Sequence, residues 1–258
     1  MNTYILPQKY AILGVGVSPV NMQLAISVLN QWISNKSQNY ICVAPAHSIM
    51  HGYRYPRLRK IFNSSGMTTP DGMAVVWLLQ LKGFHNVERV YGPDLMRAVC
   101  QRSLQTGWKH YFYGGEPSVG ELLSLNLRDQ FPGLNITGSY SPPFRELTPD
   151  EDNQIIDRIN RARPDIVWVG IGSPKQELWM SDHMGKLIAP VLIGVGAAFD
   201  FLSGKKRQAP RWIQRSGFEW LFRLASEPKR LWRRYAEYPL FTLLVLLQLL
   251  HIKHYPTD

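Results

Sequence analysis

Residues 165–170 and 191–195 are apolar almost end to end, and each stretch runs directly into a glycine-rich loop. A strand that is apolar on both alternating faces must be covered on both sides. That requirement is met by a parallel sheet with helices above and below it. The rest of the chain has the matching alternation. Strands are expected at 10–17, 40–44, 110–113 and 135–140, and helices at 20–33, 74–81, 95–105, 116–131 and 149–162, where apolar residues recur at helical spacing. The last of these helices carries its own start signal, with Thr148 as cap and Pro149 at the first helical position. The fold class is therefore α/β, a Rossmann-like, mostly parallel sheet with helices on both faces. At 258 residues the chain is long enough for one large α/β catalytic domain, expected over 1–204, with an appendage over 205–258.

Charge sets the appendage apart. Between residues 205 and 235 lie ten Lys and Arg against only Glu219 and Glu227, so this segment holds eight of the chain's ten net positive charges. Most of these cations are arginines, whose guanidinium grips phosphate oxygens with two parallel bonds where an ammonium offers a point charge. Phosphate-bearing partners follow, of three kinds: anionic lipid headgroups, a nucleotide diphosphate or nucleic acid. An apolar run then lies between Pro239 and His251. It is about half the roughly 20 residues a spanning helix needs. Together with Trp212, Trp220 and Trp232 it suits a basic amphipathic helix lying in a membrane interface; a core or dimer-interface helix is the alternative. Cys42 and Cys100 lack metal-ligand spacing, and no secretory leader precedes the first strand, so reduced thiols in a cytoplasmic protein are expected.

In such sheets the loops after the strands carry the chemistry. After the strand at 165–170 comes Gly170-Ile-Gly-Ser-Pro-Lys-Gln-Glu177. Gly172 allows close backbone approach, Ser173, Gln176 and Glu177 offer hydrogen bonds to a sugar or base, and Lys175 offers charge to a phosphate. After 191–195 comes Gly194-Val-Gly-Ala-Ala-Phe-Asp200, a weak echo of the dinucleotide fingerprint with Phe199 where the third glycine belongs. A third loop, Thr68-Thr-Pro-Asp-Gly-Met73, sets Asp71 ahead of an apolar helix, either as its N-cap or as a general base. In Glu88-Arg-Val-Tyr-Gly-Pro-Asp94, Arg89 and Asp94 either pair with each other or order a site.

Taken in order, Pro70-Asp-Gly-Met73, Arg89-Val-Tyr-Gly-Pro-Asp-Leu95, Tyr113-Gly-Gly115, Pro142-Pro-Phe144, Trp168-Val-Gly-Ile-Gly-Ser-Pro-Lys-Gln-Glu177, Gly194-Val-Gly-Ala-Ala-Phe-Asp-Phe201, Arg207-Gln-Ala-Pro-Arg-Trp212 and Glu219-Trp-Leu-Phe-Arg223 make a pattern. It resembles the WecG/TagA/CpsF glycosyltransferases, glycosyltransferase family 26, over roughly residues 8 to 235. The resemblance implies an inverting transfer from a UDP-sugar donor to a polyprenyl-diphosphate-linked saccharide at the inner face of the cell membrane, in assembly of exopolysaccharide, capsule or cell-wall polymer. It implies Asp71 as base, with Arg89 and Gln176 catalytic and Arg223, Arg230 and Arg233 on the donor diphosphate. Thr69, Asp94, Gly172, Ser173, Lys175, Glu177, Gly196 and Asp200 are the further expected substrate contacts.

One departure from the family pattern stands out. Val43-Ala-Pro-Ala-His47 has Ala44 where the branch with the known base carries a threonine, which makes His47 the nearest polar group and points to an exopolysaccharide hexosyltransferase. The only Asp-x-Asp, Asp150-Glu-Asp152, sits at a helix start where acids favour the helix dipole, so no metal or other cofactor is expected. Two other classes fare worse. A nucleotide-cofactor oxidoreductase would need an intact glycine fingerprint at Gly14-Val-Gly16 or Gly194-Val-Gly196 with an acid about 20 residues on, and neither loop has one. A non-enzymatic membrane-surface or nucleic-acid binding module accounts for the tail and leaves the loop motifs unexplained. The expected partners are accordingly a UDP-sugar, the lipid-linked acceptor, an anionic membrane surface and a second copy of the chain, with no nucleic acid.

Overall fold

The computed structural model describes residues 5–255. Along the chain come β1 (Tyr10–Ile12), β2 (Val15–Val17), α1 (Met22–Ser34), β3 (Asn39–Ala44), α2 (Ala46–Arg54), α3 (Pro56–Ser64), β4 (Met67–Pro70), α4 (Met73–Leu81), α5 (Gly92–Thr106), β5 (Lys109–Gly114), α6 (Val119–Gln130) and β6 (Asn135–Tyr140). There follow α7 (Pro149–Ala162), β7 (Ile166–Gly170), α8 (Lys175–His183), β8 (Val191–Gly194), α9 (Ala198–Leu202), α10 (Arg211–Arg215), α11 (Glu219–Ser226), α12 (Pro228–Tyr235) and α13 (Tyr238–Leu249). Six strands form one sheet in the order β4-β3-β8-β7-β5-β6, parallel where the register is defined, with a separate antiparallel pair β1-β2. The expected α/β class is the observed one.

The chain divides into two compact units, one made chiefly of Met22–Cys42 and Gly92–Arg207, the other of Leu6–Asn21, Val43–Tyr91 and Gln208–Asp258. In the first, alternate residues of β5 show why both sheet faces are covered. Phe112 meets Phe199 of α9 edge-on at 5.8 Å, while its neighbour Tyr113, pointing to the other face, stacks on Trp179 of α8 at 4.2 Å. The face shared by His110 and Phe112 also buries a polar chain. Trp168 Nε1 donates to His110 Nδ1 at 2.9 Å, which places the ring proton on Nε2, 2.9 Å from Ser103 Oγ, and Ser103 in turn donates to the Val99 carbonyl at 2.7 Å. Every group is satisfied, and burial pushes the His110 pKa down to about 3.

Three glycines of this unit have a steric reason. A Cβ on Gly114 would lie 2.6 Å from the Gly170 carbonyl carbon, and one on Gly170 would lie 2.6 Å from the Phe199 ring. A Cβ on Gly115 would meet Val119 at 2.9 Å and the Phe199 ring at 3.5 Å. Phe199 is therefore a core side chain filling the space the glycines leave, which explains its presence where a dinucleotide fingerprint would have glycine. At the start of α7 the expected cap is present as a full capping box. Thr148 Oγ1 accepts from Glu151 N, and Glu151 returns the bond to Thr148 N at 2.9 Å.

In the second unit, residues 10–17 form a hairpin where one strand was expected. Leu13 and Gly14 both have positive φ (52° and 85°), the geometry of a two-residue type I′ turn. Two amides clamp it. Asn63 bonds Gly16 N and Gly14 O, and Gln248 of α13 accepts from Leu13 N while donating to Ala11 O. Lys9 caps the end of α3, its ammonium donating to the carbonyls of Phe62, Asn63 and Ser65 and to Ser65 Oγ at 2.6–3.2 Å.

The apolar run of the tail, α13, has two sides. Phe241 and Leu244 are buried, whereas Leu240, Leu243, Leu246 and Leu250 are exposed. Trp212 and Trp232 are exposed as well, but Trp220 packs against Tyr235 and Tyr238 at 5.8 and 5.7 Å and does not join them. Among the described residues no helix is long and apolar enough to cross a membrane.

Candidate functional site

The loop that ends β4 delivers Asp71, whose backbone N–H donates to the Ala44 carbonyl at 3.4 Å. Asp71 does not cap α4; Gly72 occupies the cap position, with φ 87° and no side-chain cap bond. Its carboxylate instead takes Arg89. Nε and Nη2 of the guanidinium both lie 3.0 Å from Oδ1. Arg89 is held from other sides too. Nη2 lies 2.6 Å from Glu219 Oε2, Nη1 donates to the Gln214 carbonyl at 3.3 Å, and the Tyr91 ring covers the guanidinium face at 4.1 Å. Burial opposes the Arg89 charge, but the Asp71 and Glu219 carboxylates outweigh it and hold the guanidinium more firmly protonated than in water. Asp94, weighed above as its partner, pairs with Arg97 at 3.5 Å.

Thr69 precedes this loop and is fully buried, its hydroxyl donating to the Val90 carbonyl at 3.3 Å. It ties β4 to the segment that carries Arg89. His47, one residue into α2, is 7% exposed and its Nδ1 has no hydrogen-bond partner among the described residues. Burial, then the charge of Arg234, then His51 and Arg223 hold its pKa well below the ordinary value, so the ring is neutral near pH 7. As a weak base with an open nitrogen, it is equipped to orient a ligand by hydrogen bonding.

The three expected tail arginines differ. Arg223 of α11 is half-buried and electrostatically coupled to Tyr235, Tyr91, Glu219 and Asp71. Arg230 is exposed and forked onto Glu227 through two 2.6 Å bonds, and Arg233 is exposed beside the Trp232 ring. Arg234, passed over in the sequence, is half-buried, and burial and then the neighbouring Arg223 lower its pKa. Glu219, Tyr91 and Arg234 are the members of this cluster that the sequence reading did not single out. Glu219 carried a signal. It is one of only two acids in the basic segment, four residues from Arg223 on one helix face.

The first unit holds the other expected residues. Gln176 lies in the first turn of α8, donates from Nε2 to Glu177 Oε1 at 3.0 Å and is 3% exposed. Its amide lies over the loop after β8. A Cβ on Gly194 would be 3.0 Å from Nε2, and one on Gly196 would be 3.4 Å from Oε1. Gln176 Oε1 is buried with no hydrogen-bond partner among the described residues, and Glu177 is fully buried. Gly172, with φ 83°, and Ser173 form the turn into α8, Lys175 is exposed, and Asp200 pairs with Lys206 at 2.8 Å. Among the described residues no group of His, Cys, Asp and Glu has the arrangement of a metal site. Asp152, in the Asp-x-Asp, instead receives His183 Nε2 at 3.0 Å.

Residues 10–255, nearly the whole chain, match the glycosyl transferase WecG/TagA/CpsF family. The chain belongs to that family. The resemblance drawn from the loop motifs is thereby upheld, and the chain is a glycosyltransferase by descent. A Bacillus spizizenii protein named N-acetylglucosaminyldiphosphoundecaprenol N-acetyl-beta-D-mannosaminyltransferase is 30% identical over 191 residues, which cover 74% of this chain and 72% of that protein. Family membership also removes the case for a binding module, which left the loop motifs without a purpose.

Proposed function

We propose that this chain is an inverting glycosyltransferase that moves a hexosyl or N-acetylhexosaminyl group from a UDP-sugar to a polyprenyl-diphosphate-linked saccharide, with Asp71 as general base. The observation that carries the reading is the state of Asp71. It is a nearly buried carboxylate that Arg89 meets at Oδ1 alone, while Oδ2 makes no hydrogen bond or ion pair among the described residues. In the reaction an acceptor hydroxyl oxygen bonds to the anomeric carbon and gives its proton to Asp71. The bond to the donor diphosphate breaks, with its electron pair leaving on UDP. Arg223, Arg230 and Arg233 meet the charge that develops there, joined by Arg234 from the same cluster. Within the first unit the residues equipped to bind a sugar or nucleotide are Gln176, with its open Oε1, the Gly172–Ser173 and Gly196 turns, Lys175, Glu177 and Asp200.

The printed name of the Bacillus spizizenii relative describes a lipid-linked N-acetylglucosaminyl acceptor, which supports the same acceptor class here. Ala44 and His47 in place of the family's polar pattern favour a different sugar, in exopolysaccharide assembly. The exposed leucines of α13 with Trp212, Trp232 and the surrounding cations suit peripheral attachment to an anionic membrane on the cytoplasmic side, or pairing of two copies.

The test is UDP release from a panel of UDP-sugars with polyprenyl-diphosphate-linked mono- and disaccharide acceptors, with and without EDTA. Acceptor-dependent release that survives chelation is expected, and it names the donor. Well-folded protein that is silent across the panel would refute the assignment. Replacing Arg230 and Arg233 with alanine should weaken UDP binding as well as turnover; unchanged UDP affinity would assign them to lipid alone.

A further inference from the structure

Glu219 is a carboxylate only 8% exposed, in the first turn of α11, and a charge placed so deep needs a partner to offset its lost hydration. Its partner is the cation that also serves Asp71. Two carboxylates therefore share one guanidinium, and their contacts are unequal. Arg89 Nη2 lies 2.6 Å from Glu219 Oε2, whereas Nη2 and Nε lie 3.0 Å from the same oxygen of Asp71.

That inequality has a consequence for the base. A guanidinium facing a single carboxylate settles into a fork with one N–H on each oxygen. On Asp71 such a fork would occupy both oxygens and leave no site for an incoming proton. Here the closer ion-pair contact, with Glu219, places Nη2 against α11, the Gln214 carbonyl takes Nη1, and the Tyr91 ring covers the face. Arg89 is thus fixed in an orientation in which only Oδ1 of Asp71 is engaged. The other ionisable groups around the pair are Arg223 and Arg234, His47, and the phenols of Tyr91, Tyr235 and Tyr238.

We propose that Glu219 is a positioning residue for the transfer reaction: by holding Arg89 off the second oxygen of Asp71, it keeps that oxygen open to receive the acceptor's proton. The inference rests on the reading of Asp71 as base. Glu219 itself makes and breaks no bond, and it needs no contact with either substrate.

The test compares wild type, Glu219→Gln, Glu219→Asp, Asp71→Asn and the Asp71→Asn/Glu219→Gln double variant in the transfer assay, together with a crystal structure of Glu219→Gln. The expected result is a kcat about tenfold to a hundredfold lower for Glu219→Gln, with KM for the donor within about threefold of wild type. Glu219→Asp, which keeps the charge, should recover part of the loss. In the Asp71→Asn background Glu219→Gln should cost less than about twofold more, because it acts through the group already removed. In the crystal Arg89 should have swung onto both oxygens of Asp71. Losses that multiply in the double variant, or a raised KM with kcat unchanged, would overturn the role. So would an Arg89 that stays on Oδ1 alone in the Glu219→Gln crystal. Wild type that transfers no sugar would sink the glycosyl-transfer reading by itself, while the crystal still decides whether Glu219 sets the Arg89–Asp71 geometry. If Glu219→Gln does not fold, Glu219→Asp carries the same comparison, since its shorter reach must loosen Arg89 and lower kcat without raising KM.

Discussion

Lowering the pH from 7.5 to 5 should remove about 2 kcal/mol of folding stability through His110 alone. In the fold the ring accepts from Trp168 Nε1 and donates to Ser103, inside a core where its exposure is 0%. A second proton has no acceptor to meet and no water to hydrate it, and the pKa falls from 6.5 to about 3. The unfolded chain therefore binds the proton first. Stability contributed by the neutral ring is present above the unfolded value, and it is lost as pH falls from about 6.5 toward 3. The integrated loss is about 2 kcal/mol at pH 5 and about 3 kcal/mol at pH 4, from about 1.4 kcal/mol per pH unit within the window. The assay is urea denaturation of wild type and His110→Asn at a series of pH values, with His110→Gln as a second replacement. Any constant cost of the substitution drops out of the slope, and so do the other titrating groups, His47 included. The wild-type-minus-variant difference should shrink by about 2 kcal/mol from pH 7.5 to 5. A difference independent of pH would refute the reasoning.

Three further outcomes follow from the packing and the ion pairs. Gly114→Ala, which adds a Cβ 2.6 Å from the Gly170 backbone at a φ of 126°, should destabilise the fold by more than about 2 kcal/mol; a denaturation midpoint within error of wild type would contradict it. Lys9→Met leaves the carbonyls of Phe62, Asn63 and Ser65 without their ammonium and should cost about 1.5–3 kcal/mol by the same measurement. Arg89→Lys replaces a planar fork that reaches Asp71, Glu219 and the Gln214 carbonyl with a single ammonium, so kcat should fall at least about tenfold in the UDP-release assay.

The parallel sheet was legible because its strands are short apolar runs and its helices carry caps and period. β3, β5, β6, β7 and β8, and helices such as α4 and α7, fall within a residue or two of their expected bounds. The hairpin at 10–17 was not legible, since Leu13-Gly14 lacks the Asn-Gly or Asp-Gly signature of its turn and reads as a continuous strand. Nor were α2, α3 and β4, which occupy residues 46–70 where polar and apolar residues mix without a clear period and the third loop had been read as irregular. At the site, Asp71 and Arg89 stood out through the turn residues beside them. Their pairing did not, because sequence proximity favoured Asp94 and the tertiary contact spans 18 residues. Glu219 was hidden for a different reason. In a segment of ten cations an acid reads as charge balance, and only the packing of α11 shows it buried on Arg89.

The most direct test of the central claim is acceptor-dependent UDP release by wild type and Asp71→Asn under saturating donor, with UDP affinity measured alongside. A base predicts a kcat lower by at least about a hundredfold in the variant, with UDP binding nearly unchanged. Near-normal turnover by Asp71→Asn would contradict it and remove Asp71 from the chemistry.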